Sequence, residues 1–226
     1  MIITALLLAI AVIAYLLGSV NGAIIVSRFL FHSDVRTLGS GNAGLTNFYR
    51  NYGAKGIAGV VGIDVAKGLL GAFIGGLLLG LATRDPLLVD EYVRIGRLFA
   101  TFCLVLGHVF PIFYGLRGGK GILVGVSAVF VVNSDAGLIA LVVFALAVVL
   151  TRYVSLGSVL GACSVPVTLL ANGFSALCLI LTLLTLLIII MKHMGNISRM
   201  IKKREPRFVF RRDLRHKLDD DNFDRR

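Results

Sequence analysis

The run Gly39-Ser40-Gly41-Asn42-Ala43-Gly44, followed by Thr46, Asn47 and Arg50, combines permissive backbone, small hydroxyl and amide side chains and a cation. Glycines let backbone N–H groups approach an anion closely, so this run suits the binding of a phosphate or a glycerol-like polyol. The plainer reading is a turn between helices, where Gly, Ser and Asn are also common. Two asparagines and an arginine in so tight a run exceed what a turn needs. A second run, Arg117-Gly118-Gly119-Lys120-Gly121, opens an apolar segment. It sets glycines and a lysine at a helix N-terminus, where backbone donors and the helix dipole both favour an anion. It is not a P-loop, because the Gly-x-x-x-x-Gly-Lys-Ser/Thr spacing is missing and no strand precedes it.

Other polar residues stand out against apolar surroundings. Asp64 and Lys67 are three apart inside an apolar run, so they share a helix face and neutralise each other. Such a pair either eases insertion or serves function, and both readings stand. His108 precedes Val109-Phe110-Pro111 and reads as a satisfied hydrogen-bonding residue. His193 lies just past the last apolar run, with Asn196 and Arg199 following at helical spacing. Ser155 and Ser158 are also three apart, and suit either ligand binding or the capping of a helix start. Cys103, Cys163 and Cys178 lie in apolar stretches without Cys-x-x-Cys or Cys/His spacing, so neither a disulfide framework, a metal site nor an organic cofactor is expected.

The elements that must position these groups are membrane spans. In 226 residues the hydrophobic fraction is 57%, only 15% are charged and the mean hydropathy is +0.90, far from a soluble domain. The net charge of +11 resides largely in loops and a C-terminal tail, which fits an anionic lipid surface better than nucleic acid. The first run has no positive segment before it and no small-residue cleavage site, so it is kept as a span. Seven segments approach bilayer-crossing length: 2–26, 57–81, 98–113, 122–132, 136–150, 159–170 and 174–191. An all-α integral membrane fold of about seven transmembrane helices follows. Lys and Arg in alternate loops place the N-terminus outside and the C-terminus in the cytoplasm. Every Gly-, Asn- and Ser-rich motif then gathers at one cytoplasmic face. Residues 1–207 form the membrane domain and 208–226 a charged tail.

Together these motifs resemble the acyl-phosphate:glycerol-3-phosphate acyltransferase family of bacterial membrane enzymes. The resemblance rests on Gly39 to Asn47 with Arg50, Asp64 with Lys67-Gly68, Gly107-His-Val-Phe-Pro111, Gly118 to Gly121, Ser155-Leu-Gly-Ser158, and His193 with Asn196-Ile197 and Arg199. Ala43 and Leu45 depart from the family's usual Pro and Ala. The resemblance implies transfer of a fatty acyl group from an acyl phosphate to the sn-1 hydroxyl of glycerol 3-phosphate, at the inner membrane, with a link to the enzyme that makes the acyl phosphate. It implies catalytic roles for Ser40, Arg50, Lys120, Ser158, His193 and Asn196. Substrate-binding roles follow for Gly39, Gly41, Asn42, Thr46, Asn47, Asp64, Lys67, His108, Gly118, Gly119, Gly121, Ser155 and Arg199. His216 and Asp221 match the His-x4-Asp spacing of other glycerolipid acyltransferases, which in a charged tail is read as coincidence. The competing reading is a transporter of a phosphorylated small molecule. Against it, the two halves show no inverted repeat and the motifs lie at one face.

Overall fold

The computed structural model describes residues 1–208, so 209–226, with His216, Asp221 and nearly all of the charged tail, lie outside the described residues. Among the described residues the chain is all-helical. Its helices are α1 Ile2–Ser19, α2 Gly22–Phe31, α3 Leu45–Tyr52, α4 Ile57–Gly80, α5 Pro86–Val109, α6 Ile122–Val132, α7 Ser134–Thr151, α8 Val154–Ala171 and α9 Ala176–Ile201. Six stretches are long and apolar enough to cross a bilayer, with α1 and α2 counted as one. The remaining expected segment is the 11-residue α6. It is about 16 Å long, half of the roughly 30 Å hydrocarbon core.

Four boundaries differ from the sequence expectation, and one of them is the start of the sixth span, at Val154 and not 159, which places Ser155 and Ser158 in the first turns of α8. The third span begins at Pro86, not Leu98. Asp85 caps it by accepting from the Leu87 N–H at 3.0 Å, and proline suits the first helical position. Asp90, Glu91, Arg94 and Arg97 therefore ride on a helix and not in a loop. The last span runs on to Ile201, which places His193, Asn196 and Arg199 on α9 itself. The first span is broken after Ser19.

The break explains the intramembrane ion pair. An interrupted helix leaves carbonyls on one side and N–H groups on the other without partners, which hydrocarbon does not tolerate. Lys67 Nζ donates to the carbonyls of Gly18 at 3.2 Å and Val20 at 2.5 Å, while Asp64 Oδ1 accepts from the Gly22 N–H at 3.2 Å. The two side chains lie 2.8 Å apart and are almost fully buried. Asn21 completes the junction, accepting from the Ile24 N–H and donating to the Ala43 carbonyl.

Helix α4 packs against α1, α5 and α6, α7 pairs with α8, and α9 lies against α5 and α8. Lipid tails supply no hydrophobic drive between helices, so close approach rests on small residues. Gly75 and Gly96 bring α4 and α5 together, and a Cβ on Gly96 would run into the Gly75 carbonyl. Large apolar side chains such as Phe73, Leu138, Leu150 and Leu170 are exposed on the outside, where a bilayer would cover them.

Candidate active site

The polar loops converge on one end of the bundle. The segment after α2 is shaped by Asp34, which accepts from the Arg36 N–H and pairs with Arg36 and Arg28 at 2.8 and 2.9 Å. Hydrogen bonding from the Arg36 side chain holds the Asp34 carboxyl well below the usual carboxylate range despite burial. Arg36 also reaches across to the other loop, donating to the carbonyls of Tyr114 at 2.6 Å and Arg117 at 3.2 Å. Asn47 is a clip inside its own loop. Its amide nitrogen donates to the carbonyls of Val35, Leu38 and Asn42, and its oxygen accepts from the Ser40 N–H at 3.0 Å. Gly39 sits beside it with a positive φ of 55°, and a side chain there would strike Asn47 and Asn51.

The second loop returns part of its backbone to α5. The Gly118 N–H donates to the Val109 carbonyl and the Gly119 N–H to that of His108. Of the glycine run, this leaves Lys120, Gly121 and the first turn of α6 as the donors that could serve an anion. Gly121 enters α6 with φ 81°, a conformation that favours glycine. His108 lies beneath, its ring Nδ1 3.0 Å from Lys67 Nζ, so the buried ion pair also supports this loop.

Lys120 Nζ donates to Asn196 Oδ1 at 2.6 Å, and Asn196 Nδ2 donates to Ser155 Oγ at 2.8 Å and Glu205 Oε1 at 2.6 Å. Ser155 donates to the same carboxylate oxygen at 2.5 Å, and Arg199 Nε to the other at 2.8 Å. Glu205 is buried just beyond α9. Burial alone would raise its carboxyl, but hydrogen bonds from Ser155, Asn196 and Arg199 outweigh that and lower it. Burial pushes Lys120 down to about 8; Glu205 opposes the shift, while Arg199, Arg50 and Lys192 add to it. His193 is 1% exposed, and its Nδ1 lies 2.8 Å from the Ile189 carbonyl. Because a carbonyl only accepts, Nδ1 carries the proton and Nε2 of the neutral ring keeps its lone pair. Ser158 donates to the Val154 carbonyl within α8, so it is not the cap of that helix.

A cavity of about 660 Å³ opens among these groups. Of the residues expected at the site, Ser40, Gly41, Asn42, Thr46, Asn47, Arg50, Asp64, His108, Gly118, Lys120, Gly121, Ser155, Ser158, His193, Asn196 and Arg199 line it, whereas Gly39, Lys67 and Gly119 do not. The rim carries the cations Arg50, Arg117, Lys120, Lys192 and Arg199 against the carboxylate of Glu205, while Asp64 lines the cavity from α4, buried and already paired with Lys67. Below the rim the lining turns apolar, with Val126, Val129, Phe144, Ala162, Val165 and Leu186. Sequence reasoning missed Glu205, Lys192 and the bridging Arg36. For Glu205 a signal existed, a lone carboxylate among Lys202, Lys203, Arg204 and Arg207.

Comparison with known proteins accords with this geometry. The family model described as glycerol-3-phosphate acyltransferase matches residues 8–203. A glycerol-3-phosphate acyltransferase of Thermoanaerobacter sp. (strain X514) is 39% identical over 197 residues, 86% of this chain and 92% of the relative. One from Clostridioides difficile (strain 630) is 38% identical over 196 residues, 87% and 92% of the two chains. A crystal structure of PlsY (YgiH), an integral membrane glycerol 3-phosphate acyltransferase in its glycerol 3-phosphate form, superposes with a TM-score of 0.79 at 32% identity, covering 92% of this chain and 98% of that one. Its lysophosphatidic acid form gives a TM-score of 0.76 at 30% identity, covering 90% and 95%. Likeness of this extent takes in both glycine-rich loops and the end of the last helix, and the chain belongs to the glycerol-3-phosphate acyltransferase family.

Proposed function

We propose that this membrane acyltransferase moves a fatty acyl group from an acyl phosphate to the sn-1 hydroxyl of glycerol 3-phosphate, releasing lysophosphatidic acid and phosphate. The observation that carries the reading is the cavity's division: a cationic, hydrogen-bonding rim over an apolar cleft fits two phosphate-bearing head groups and one acyl tail. Support also comes from the PlsY structures in glycerol 3-phosphate and lysophosphatidic acid forms.

In this mechanism Lys120, with the N–H groups opening α6, holds the donor phosphate, and Asn196 orients the ammonium. Ser40, Asn42 and Arg50, on the loop clipped by Asn47, bind the acceptor's phosphate and hydroxyls. Ser158 and His193 complete the wall. The acceptor hydroxyl oxygen attacks the acyl carbonyl carbon, and the tetrahedral oxyanion collapses with cleavage of the bond from that carbon to the phosphate oxygen. The departing phosphate takes the hydroxyl proton. No enzyme nucleophile is needed, because an acyl phosphate is a mixed anhydride with a good leaving group. In keeping with this, Ser155 and Ser158 bond to Glu205 and to the α8 backbone, not to a histidine. Catalysis is then positioning plus charge stabilisation. The rim faces the cytoplasm of a bacterial inner membrane, in accord with the basic loops at that end.

Purified protein in detergent, given palmitoyl phosphate with and without glycerol 3-phosphate, tests the reaction by phosphate release and lipid product. Release dependent on the acceptor, with lysophosphatidic acid formed, supports it. Transport has no meaning without compartments, so folded protein inert with every acyl donor would point to the transporter reading. Lys120→Ala is expected to lower kcat/KM by about 10²- to 10³-fold with unfolding temperature retained. Full activity in that variant would overturn the donor-phosphate assignment.

A further inference from the structure

The lining of the apolar cleft stops at a definite depth, set by the helices that carry it. On α9 the lining runs from His193 down to Thr182, eleven residues or about 16 Å. On α5 it runs from His108 to Leu98, about 15 Å, and on α6 from Gly121 to Val129, about 12 Å. At those depths Leu98, Val129, Ala140 and Val165 belong both to the cavity wall and to a buried core that continues through Val132, Leu169 and Phe174. Leu98 is 2% exposed, Val129 6% and Val165 7%.

Beyond that core the far end of the bundle turns polar again. A separate crevice there is lined by Asp90, Arg94, Arg97, Asn133 and Asn172. Leu98 directly follows Arg97, so a chain that passed that depth would meet guanidinium and amide groups, where an alkyl terminus loses its apolar surroundings. Inside the cleft, Thr101, Thr182 and Thr185 return their hydroxyls to the carbonyls of Arg97, Cys178 and Leu181 on their own helices, so they add no unpaired polar group. A depth of about 16 Å is also close to one leaflet, half of the roughly 30 Å core.

We propose that Leu98, Val129 and Val165 form the closed end of the acyl cleft and set the longest chain that the enzyme transfers efficiently. This rests on the acyl-transfer reading above and adds the residues that select among its donors. Burial of each methylene favours longer chains until the terminal methyl meets this end, after which a further pair of carbons has nowhere to go. The discrimination between a chain that fits and one that overruns this end is the ordinary one for an apolar pocket, about tenfold.

The test is kcat/KM in detergent for decanoyl, lauroyl, palmitoyl and stearoyl phosphate, with glycerol 3-phosphate fixed. Val165→Phe and Val129→Phe raise the floor and are expected to lower the palmitoyl and stearoyl values about tenfold relative to lauroyl. Val165→Ala and Leu98→Ala deepen it and are expected to shift preference towards stearoyl. Activity on the short donors in the same preparation reports that each variant is folded. Should both phenylalanine variants unfold, the alanine pair decides. An equal change for all four donors in folded variants overturns the proposal, whereas a folded wild-type protein inert with every acyl phosphate overturns the reaction itself.

Discussion

Glu205 shows how one side chain sets the charge of another across the site. Its carboxylate is the group that opposes the downward shift of Lys120, so its removal is expected to lower the Lys120 pKa further. For the intact enzyme the sign is plain. In the proposed mechanism it is the ammonium form that binds a phosphate, so kcat/KM is expected to hold below about pH 8 and to decline above it. In Glu205→Gln, which still accepts hydrogen bonds through its amide oxygen, that alkaline limb is expected to move to lower pH; a pH–rate profile checks it, and an unmoved limb would dissociate the two groups. Arg50, Lys120, Asn42 and Asn196 were legible in the sequence because each stood in or beside a glycine- or serine-bearing run, whereas Lys192, at the end of an apolar run, was not. It left Glu205 unread because the residue's partners, Ser155, Asn196 and Arg199, are 50, 9 and 6 positions away and meet it only when the chain turns back after α9.

Among the helices, α4 and α5 illustrate what hydropathy alone conveys. Both were legible as apolar runs, yet the start of α5 was not, since Asp90, Glu91, Arg94 and Arg97 depress the hydropathy of its first turns while Asp85 and Pro86 fix the helix all the same. The break between α1 and α2 was equally unread, because the long apolar runs on both sides outweighed the Ser19-Val20-Asn21-Gly22 turn signal between them. Contact between α4 and α5 through Gly75 and Gly96 carries a prediction of its own. Gly96→Val would force the two backbones apart, and a drop in unfolding temperature equivalent to about 1–3 kcal/mol is expected in detergent. Thermal scans of that variant beside Gly62→Ala, where a Cβ meets open space, would show whether the loss comes from the seam or from helix propensity.

At the scale of the whole molecule, the rim, the cleft and the polar crevice lie in sequence along the bundle, and the bundle's orientation decides which substrates can reach the rim. Basic residues at the rim end predict a C-terminus on the cytoplasmic side. A green fluorescent protein fused after Arg226 is expected to fluoresce, and alkaline phosphatase at the same point to remain inactive; the opposite pair of results would invert the topology. The bulk composition made the membrane class plain and the motif clustering made the shared face plain. The apolar cleft was not legible, because Val129, Phe144 and Val165 differ in no way from lipid-facing neighbours until helices α6 to α9 are assembled around a common space.

The interrupted first span has a consequence for biosynthesis. Its backbone groups at Gly18, Val20 and Gly22 are satisfied by Lys67 and Asp64, residues that leave the ribosome some 45 positions later. A nascent chain arrested before Asp64 therefore carries an amino-terminal span that cannot yet rest in hydrocarbon as the mature enzyme holds it, while one arrested beyond α4 can. The pair of charges that sequence presents as a cost of insertion is thus a tie between the first span and a later one, and the junction that it completes also holds the Gly39–Gly44 loop, through the Asn21 side chain and the Ala43 carbonyl.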